Sequence, residues 1–132
     1  MNVTGERVAI DTNRAIALLH GDMAAQRSLD PFQVLCLPVP VLGELRFGAL
    51  NSTRAASNLS ALEHLADRCS VLAIDAATAT TYSHVRHALK TAGTPIPEND
   101  VWIAAICIQH ALPLATDDRH FERVQGLTLV GR

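Results

Sequence analysis

The chain has few aromatic residues (4% of 132), a single lysine, no Cys-x-x-Cys pair and no long apolar run. Each shortage excludes something. No apolar stretch approaches the roughly 18 residues needed to cross a bilayer as a helix, so a membrane-spanning role is not expected. Cys36, Cys69 and Cys107 lie far apart, each inside or beside an apolar stretch. They read as buried thiols of a reducing compartment, not as a disulfide framework or a zinc site. With 11 Lys+Arg against 13 Asp+Glu, the chain cannot grip nucleic acid by bulk positive charge, which leaves only a local basic groove. The first residues, Met-Asn-Val-Thr-Gly-Glu-Arg, include an acid and no apolar h-region. No secretory signal is therefore expected, and the predicted location is cytoplasmic.

What is present is apolar bulk, 48% of the residues. A chain of this length buries roughly two-thirds of its unfolded surface, enough for one core without staples, so residues 1–132 are predicted to form a single domain. Val8-Ala9-Ile10 reads as a short buried strand feeding a helix with Ala15, Ile16, Leu18 and Leu19 at helical spacing. Gly21-Asp22 breaks that helix. A second strand is predicted within Gln33–Val41, where Pro38 and Pro40 mark a turn into a helix carrying Leu42, Leu45, Phe47 and Ala49. Leu59, Leu62, Leu65 and Ala66 form another helical stripe, and Val71–Ile74 a third strand. A long helix over Ala76–Lys90 follows, then a loop at Gly93–Pro97 and a nearly all-apolar helix from Val101 to His110. Strands at Leu112–Ala115 and Leu127–Val130 flank a polar turn, Thr116–His120. Alternating strands and helices imply an α/β fold with a parallel sheet covered on both faces.

The informative acids are those set in apolar context or at strand ends. Asp11 directly follows the first strand, at the sheet edge where open α/β folds place ligands, although helix capping alone explains it equally well. Glu44 puts a carboxylate into an otherwise apolar helix, and Arg46, two residues on, lies on a different face. Asp100 opens the most apolar helix, where capping and the helix dipole suffice as a reason. Asp117 and Asp118 stand together after a strand, an unfavourable pair unless solvated or neutralised. Asp75 also follows a strand, but nothing singular accompanies it, and capping is the simpler reading.

Taken together these acids say more. Right-handed crossovers bring the carboxyl ends of parallel strands to one edge, so Asp11, Asp100 and Asp117 or Asp118 are expected to converge. Carboxylates crowded in this way need a counter-charge, and hard oxygen ligands select Mg²⁺, with Mn²⁺ able to substitute. Such a site activates water and stabilises a leaving oxygen, which is the chemistry of a metal-dependent nuclease.

Four segments carry a family resemblance: Val-Ala-Ile-Asp-Thr-Asn at 8–13, Val-Leu-Gly-Glu-Leu-Arg-Phe-Gly-Ala at 41–49, Gly-Thr-Pro-Ile-Pro-Glu-Asn-Asp-Val-Trp-Ile-Ala-Ala at 93–105, and Leu-Ala-Thr-Asp-Asp-Arg-His-Phe-Glu-Arg-Val at 114–124. In this order and spacing the sequence resembles the PIN-domain ribonucleases and, among them, the VapC toxins of type II toxin–antitoxin pairs. The resemblance implies a three-layer α/β/α sandwich with a central, mainly parallel sheet and an acidic site for one or two divalent cations. It implies a Mg²⁺-dependent endoribonuclease that hydrolyses RNA phosphodiesters. Asp11, Glu44 and Asp100 match the first three metal-binding acids. Asp118 matches the fourth within a Thr-x-Asp-x-x-Phe pattern, with Asp117 the adjacent alternative. Thr12, Asn13, Asn99 and Thr116 match polar positions that orient the carboxylates or bound water, and Asp117 is grouped with them. The resemblance further implies an RNA substrate such as tRNA, a VapB-type antitoxin whose basic side chain enters the acidic groove, and a homodimer.

Other residues are weighed beside these. Arg14, Arg46 and Arg119, with Arg86 and Lys90, are candidates to hold the substrate backbone, although each alone reads as an ordinary surface charge. His84 and His87 sit three apart on a predicted helix without further zinc ligands, and surface or core histidines account for them better. His120 lies beside the acidic turn, where it can touch substrate. Trp102 reads as core before it reads as a base-stacking platform. A structure-specific DNA nuclease and a non-catalytic phosphate- or metal-binding module are the alternative functions. A receiver-type module is disfavoured because the only lysine, Lys90, precedes the Gly-Pro loop instead of following a fifth strand. If Asp11, Glu44, Asp100 and Asp118 are neutralised by cations, nine other acids remain against 11 bases, so a net charge of −2 is compatible with an RNA substrate.

Overall fold

The computed structural model describes residues 6–131. Most of the N-terminal stretch read for a secretory signal lies outside these residues. Five strands, β1 (Arg7–Ile10), β2 (Val34–Pro38), β3 (Cys69–Leu72), β4 (Leu114–Ala115) and β5 (Leu129–Val130), form one fully parallel sheet in the order β3-β2-β1-β4-β5. Between them run α1 (Thr12–Leu19), α2 (Met23–Ser28), α3 (Val39–Leu50), α4 (Ala55–Asp67), α5 (Ala76–Thr91) and α6 (Glu98–Gln109). The chain winds outward from β1 through β2 to β3, then crosses back to β4 on the other side of β1. Right-handed crossovers therefore place α1–α4 over one face and α5–α6 over the other, an α/β/α sandwich. The order reverses between β1 and β4, and the crevice outside the carboxyl ends of those two strands is where such sheets bind ligands.

The three middle strands, β2, β1 and β4, carry the dry centre of the sheet. Val8, Ala9, Ile10, Cys36, Leu37, Leu114 and Ala115 are each fully buried, as a sheet covered on both faces requires. Helix α6 is buried along Val101 and Ile103–Cys107, in accord with its nearly continuous apolar sequence. Among the described residues no helix is long and apolar enough to cross a membrane.

Several expected elements shift. The third strand lies at Cys69–Leu72, not Val71–Ile74, because Leu35 pairs with Cys69 and Pro38 with Leu72, leaving Ile74 half-exposed on the approach to α5. The fourth and fifth strands shrink to two residues each. After Gly21 (φ +75°) ends α1, a short helix not anticipated from sequence forms, capped by Asp22 accepting from the Ala25 N–H at 3.0 Å. The polar turn continues into a 3₁₀ helix at Arg119–Arg123. Phe47, one of the apolar residues this helix carries, is 70% exposed on α3. The cysteines are free, Cys36 and Cys107 buried and Cys69 partly so.

Candidate active site

Asp11 stands where β1 becomes α1. Its carboxylate caps the helix, accepting from the Arg14 N–H at 2.8 Å, so the capping explanation and the site explanation apply to the same residue. Its other oxygen accepts from the Thr116 hydroxyl at the end of the neighbouring strand β4. Thr116 also accepts from the Asp118 N–H at 2.9 Å, so one hydroxyl ties Asp11 to the backbone of the acidic turn. Asp11 is 4% exposed, and burial pushes its carboxyl above the usual carboxylate range, against the lowering effect of the Thr116 and Arg14 bonds.

Glu44 reaches the site from α3. The Thr12 hydroxyl donates to its Oε1 at 2.8 Å, which links the start of α1 to the middle of α3. Asp100 projects from the first turn of α6. It is not the cap: Pro97 holds that position without a side-chain bond, and the Asp100 carboxylate meets His120 Nε2 at 2.5 Å. Burial raises the Asp100 pKa, the His120 contact lowers it, and Asp118 and Glu44 nearby raise it further. His120 Nδ1 lies 2.8 Å from Asp118 Oδ1, so this histidine bridges two acids.

Asp11, Glu44, Asp100 and Asp118 line one open cleft of about 510 Å³. Thr12, Asn13, Asn99 and His120 share its walls. Acids brought together from four elements, two of them with raised pKa, form a negative centre that a divalent cation would relieve, and the oxygen-rich donor set suits Mg²⁺ or Mn²⁺. Among the described residues, one group of metal-ligating side chains lies close enough to share an ion: Asp100, Asp118 and His120.

The structure corrects one substrate candidate and redefines an acid. Arg14 is not a surface base: its side chain is fully buried, donating to Ser28 Oγ at 3.0 Å and pairing with Asp117 Oδ1 at 3.1 Å. It cannot meet a substrate backbone without unfolding its surroundings. Its partner Asp117 does not line the cleft and serves as the outer end of this strut, while Asp118 faces the site. Arg46 and Arg119 are exposed and lie outside the cleft walls, Arg119 beside Glu122 at 3.9 Å. Lys90 is exposed on α5, and Arg86 is engaged with Tyr82 and Glu98 at the cleft rim. Trp102 is neither free platform nor full core, being stacked on Tyr82 with ring centroids 3.8 Å apart. His84 and His87 are exposed. The residue that sequence reasoning underweighted is His120. The available signal was its place two residues after Asp118, which a tight 3₁₀ turn folds back over the acid.

Comparison with known proteins agrees with this geometry. The family model described as PIN domain matches residues 8–127. A ribonuclease VapC5 from Mycobacterium tuberculosis is 32% identical over 133 residues, covering 98% of this chain and 96% of that protein. A DNA-bound VapBC complex from Salmonella typhimurium contains a chain 27% identical, with TM-score 0.87 over 96% of this chain and 98% of that one. The VapBC2 complex of Rickettsia felis, at 23% identity and TM-score 0.89 over 96% and 98% of the two chains, shares the fold. The sheet order, the acidic cleft at its reversal point and these matches lead to one assignment: the chain belongs to the PIN-domain family, in its VapC group.

Proposed function

We propose that the protein is a divalent-metal-dependent endoribonuclease and the toxin of a toxin–antitoxin pair, formed by residues 1–132 as a single PIN domain. One observation carries this reading: Asp11, Glu44, Asp100 and Asp118 come from four separate parts of the chain to one cleft at the sheet's reversal point, in a member of a family whose relatives are named ribonucleases. Those four carboxylates would hold Mg²⁺, or Mn²⁺ in its place. A cation so held supplies an activated water and neutralises charge developing on the phosphodiester.

The chain's own residues do the positioning. Thr116 fixes the orientation of the buried Asp11 carboxylate, and Thr12 does the same for Glu44. The side chains of Asn13 and Asn99 on the cleft wall offer hydrogen bonds to phosphate oxygens. Arg46 and Arg119, exposed outside the cleft, supply positive charge to RNA running across it, such as a tRNA.

An antitoxin of the VapB type is the proposed partner. Beside the acidic cleft is an apolar groove of about 250 Å³, lined by Ile16, Leu19, Leu45 and Leu62, and Glu44 lines both spaces. An apolar segment in the groove would place a basic side chain of the partner against Glu44, neutralising the acids. The toxin copies are proposed to form a homodimer in the cytoplasm, to be checked by light scattering. The decisive assay is cleavage of total RNA by purified protein with Mg²⁺, Mn²⁺ or EDTA. Metal-dependent cleavage lost in Asp100→Asn is expected; cleavage in EDTA, or of DNA instead of RNA, overturns the reading.

A further inference from the structure

His120 is not one of the acids, yet it bridges two of them. Its two ring nitrogens face two different carboxylates, Nε2 toward Asp100 Oδ2 at 2.5 Å and Nδ1 toward Asp118 Oδ1 at 2.8 Å. A neutral imidazole carries one N–H and one lone pair. It can donate to one of these aspartates only. The second contact therefore needs a positive charge at that nitrogen, which either a second proton or a cation shared with the carboxylate supplies. The ring is held in this bridging position. It is largely enclosed, packs at 5.1 Å against Phe121, and its backbone N–H is tied to Asp118 Oδ1 at 3.2 Å.

One atom from each of Asp100, Asp118 and His120 lies within 4.8 Å of the others, a spacing that one ion can bridge. We propose that His120 is a nitrogen ligand of the divalent cation in this cleft, with one ring nitrogen on the ion and the other N–H held by a carboxylate. The proposal rests on the cleft being a cation site, as in the function above. Histidine ligands almost always donate their second N–H in this manner, so the pair of contacts supplies both the ligand and its orientation. It also changes which ion the site prefers. An all-oxygen site suits Mg²⁺, whereas an imidazole in the donor set shifts preference toward more nitrogen-tolerant ions, Mn²⁺ among those named here. The acids confer charge and affinity; His120 confers selectivity.

The test is pulsed electron paramagnetic resonance of the full chain loaded with Mn²⁺, alongside Mn²⁺ and Mg²⁺ titrations. Directly bound nitrogen coupling is expected in the wild type and lost in His120→Gln. The same substitution should weaken Mn²⁺ binding roughly tenfold or more and Mg²⁺ binding less, narrowing the ratio of the two constants. Should His120→Gln fail to fold, ¹⁵N-histidine labelling of the wild type must change the coupling pattern. Saturable Mn²⁺ binding that Asp100→Asn abolishes, but without nitrogen coupling and with an unchanged ratio in His120→Gln, overturns the proposal and leaves the cation site standing. No saturable Mn²⁺ binding, or binding indifferent to both Asp11→Asn and Asp100→Asn, overturns the cation site and the proposal with it.

Discussion

Asp11 and Asp75 perform the same local task. Each follows a strand, adopts extended backbone and caps the next helix by accepting from the N–H three residues on, at 2.8 Å for Asp11 and 3.0 Å for Asp75. Their surroundings are opposite. Asp75 follows the edge strand β3, stands exposed, and completes a reciprocal capping box with Thr78, whose bonds hold its carboxyl below the usual range. Asp11 follows the central strand β1 next to β4, is buried, and has its carboxyl pushed up. The capping motif cannot tell the two apart. What separates them is the strand order, because only the reversal between β1 and β4 opens a crevice with other acids across it.

The largest expected effect is on catalysis. Asp11→Asn keeps the cap's shape but removes a charge from the cluster, and RNA cleavage should fall about 10²-fold or more, as for loss of one electrostatic catalytic group. Asp75→Asn should leave cleavage within about twofold, since single exposed changes away from the site act weakly. Equal losses in steady-state cleavage rates would mean that position on the sheet does not separate the two caps.

Next in size is the strut behind Asp11. Asp117→Ala removes the carboxylate paired with the fully buried Arg14 guanidinium. Loss of one partner of a fully buried pair costs about 3–5 kcal/mol, and the half-exposed Asp117 brings the expectation down to about 1–3 kcal/mol in urea unfolding. An unchanged midpoint would mean that the strut does not hold the turn.

The smallest effect, and the sharpest in sign, is the pH dependence of stability without metal. The raised pKa of Asp11 means that the folded state holds this proton more tightly than the unfolded chain. Its contribution is complete below the ordinary value of 3.8 and is lost as pH rises from there through the folded value. Asp75, lowered, contributes stability above 3.8 that is lost as pH falls through its folded value. Thermal midpoints measured across pH should therefore show Asp11→Asn flattening the loss on the rising side and Asp75→Asn flattening the loss on the acid side. Interchanged slopes would contradict the assigned environments.

Much of this was legible from sequence, for identifiable reasons. Apolar runs and their periods locate the strands and helices, and Glu44 stands out as a carboxylate in an otherwise apolar helix, whereas Asp11 and Asp100, each open to a capping explanation, gain weight only in combination. The strand ends were less legible, since β3 is fixed by its register with β2 and not by its own most apolar residues. Arg14 misled because a lone arginine after a polar turn looks solvated; its burial depends on Asp117, a partner 103 residues away in sequence. His120 was legible only as a neighbour of the acidic turn, because a 3₁₀ turn, not a strand or helix period, brings it over Asp118.

If the acids at the reversal point form a cation site and the acid at the end of β3 does not, the thermal midpoints of metal-free wild type, Asp11→Asn and Asp75→Asn must respond differently to added Mg²⁺, because an ion that binds only the folded state raises the midpoint. A saturable rise of the same size is expected in wild type and Asp75→Asn, and little or none in Asp11→Asn. A full rise in Asp11→Asn, or none in the wild type, would show that Asp11 does not hold a cation.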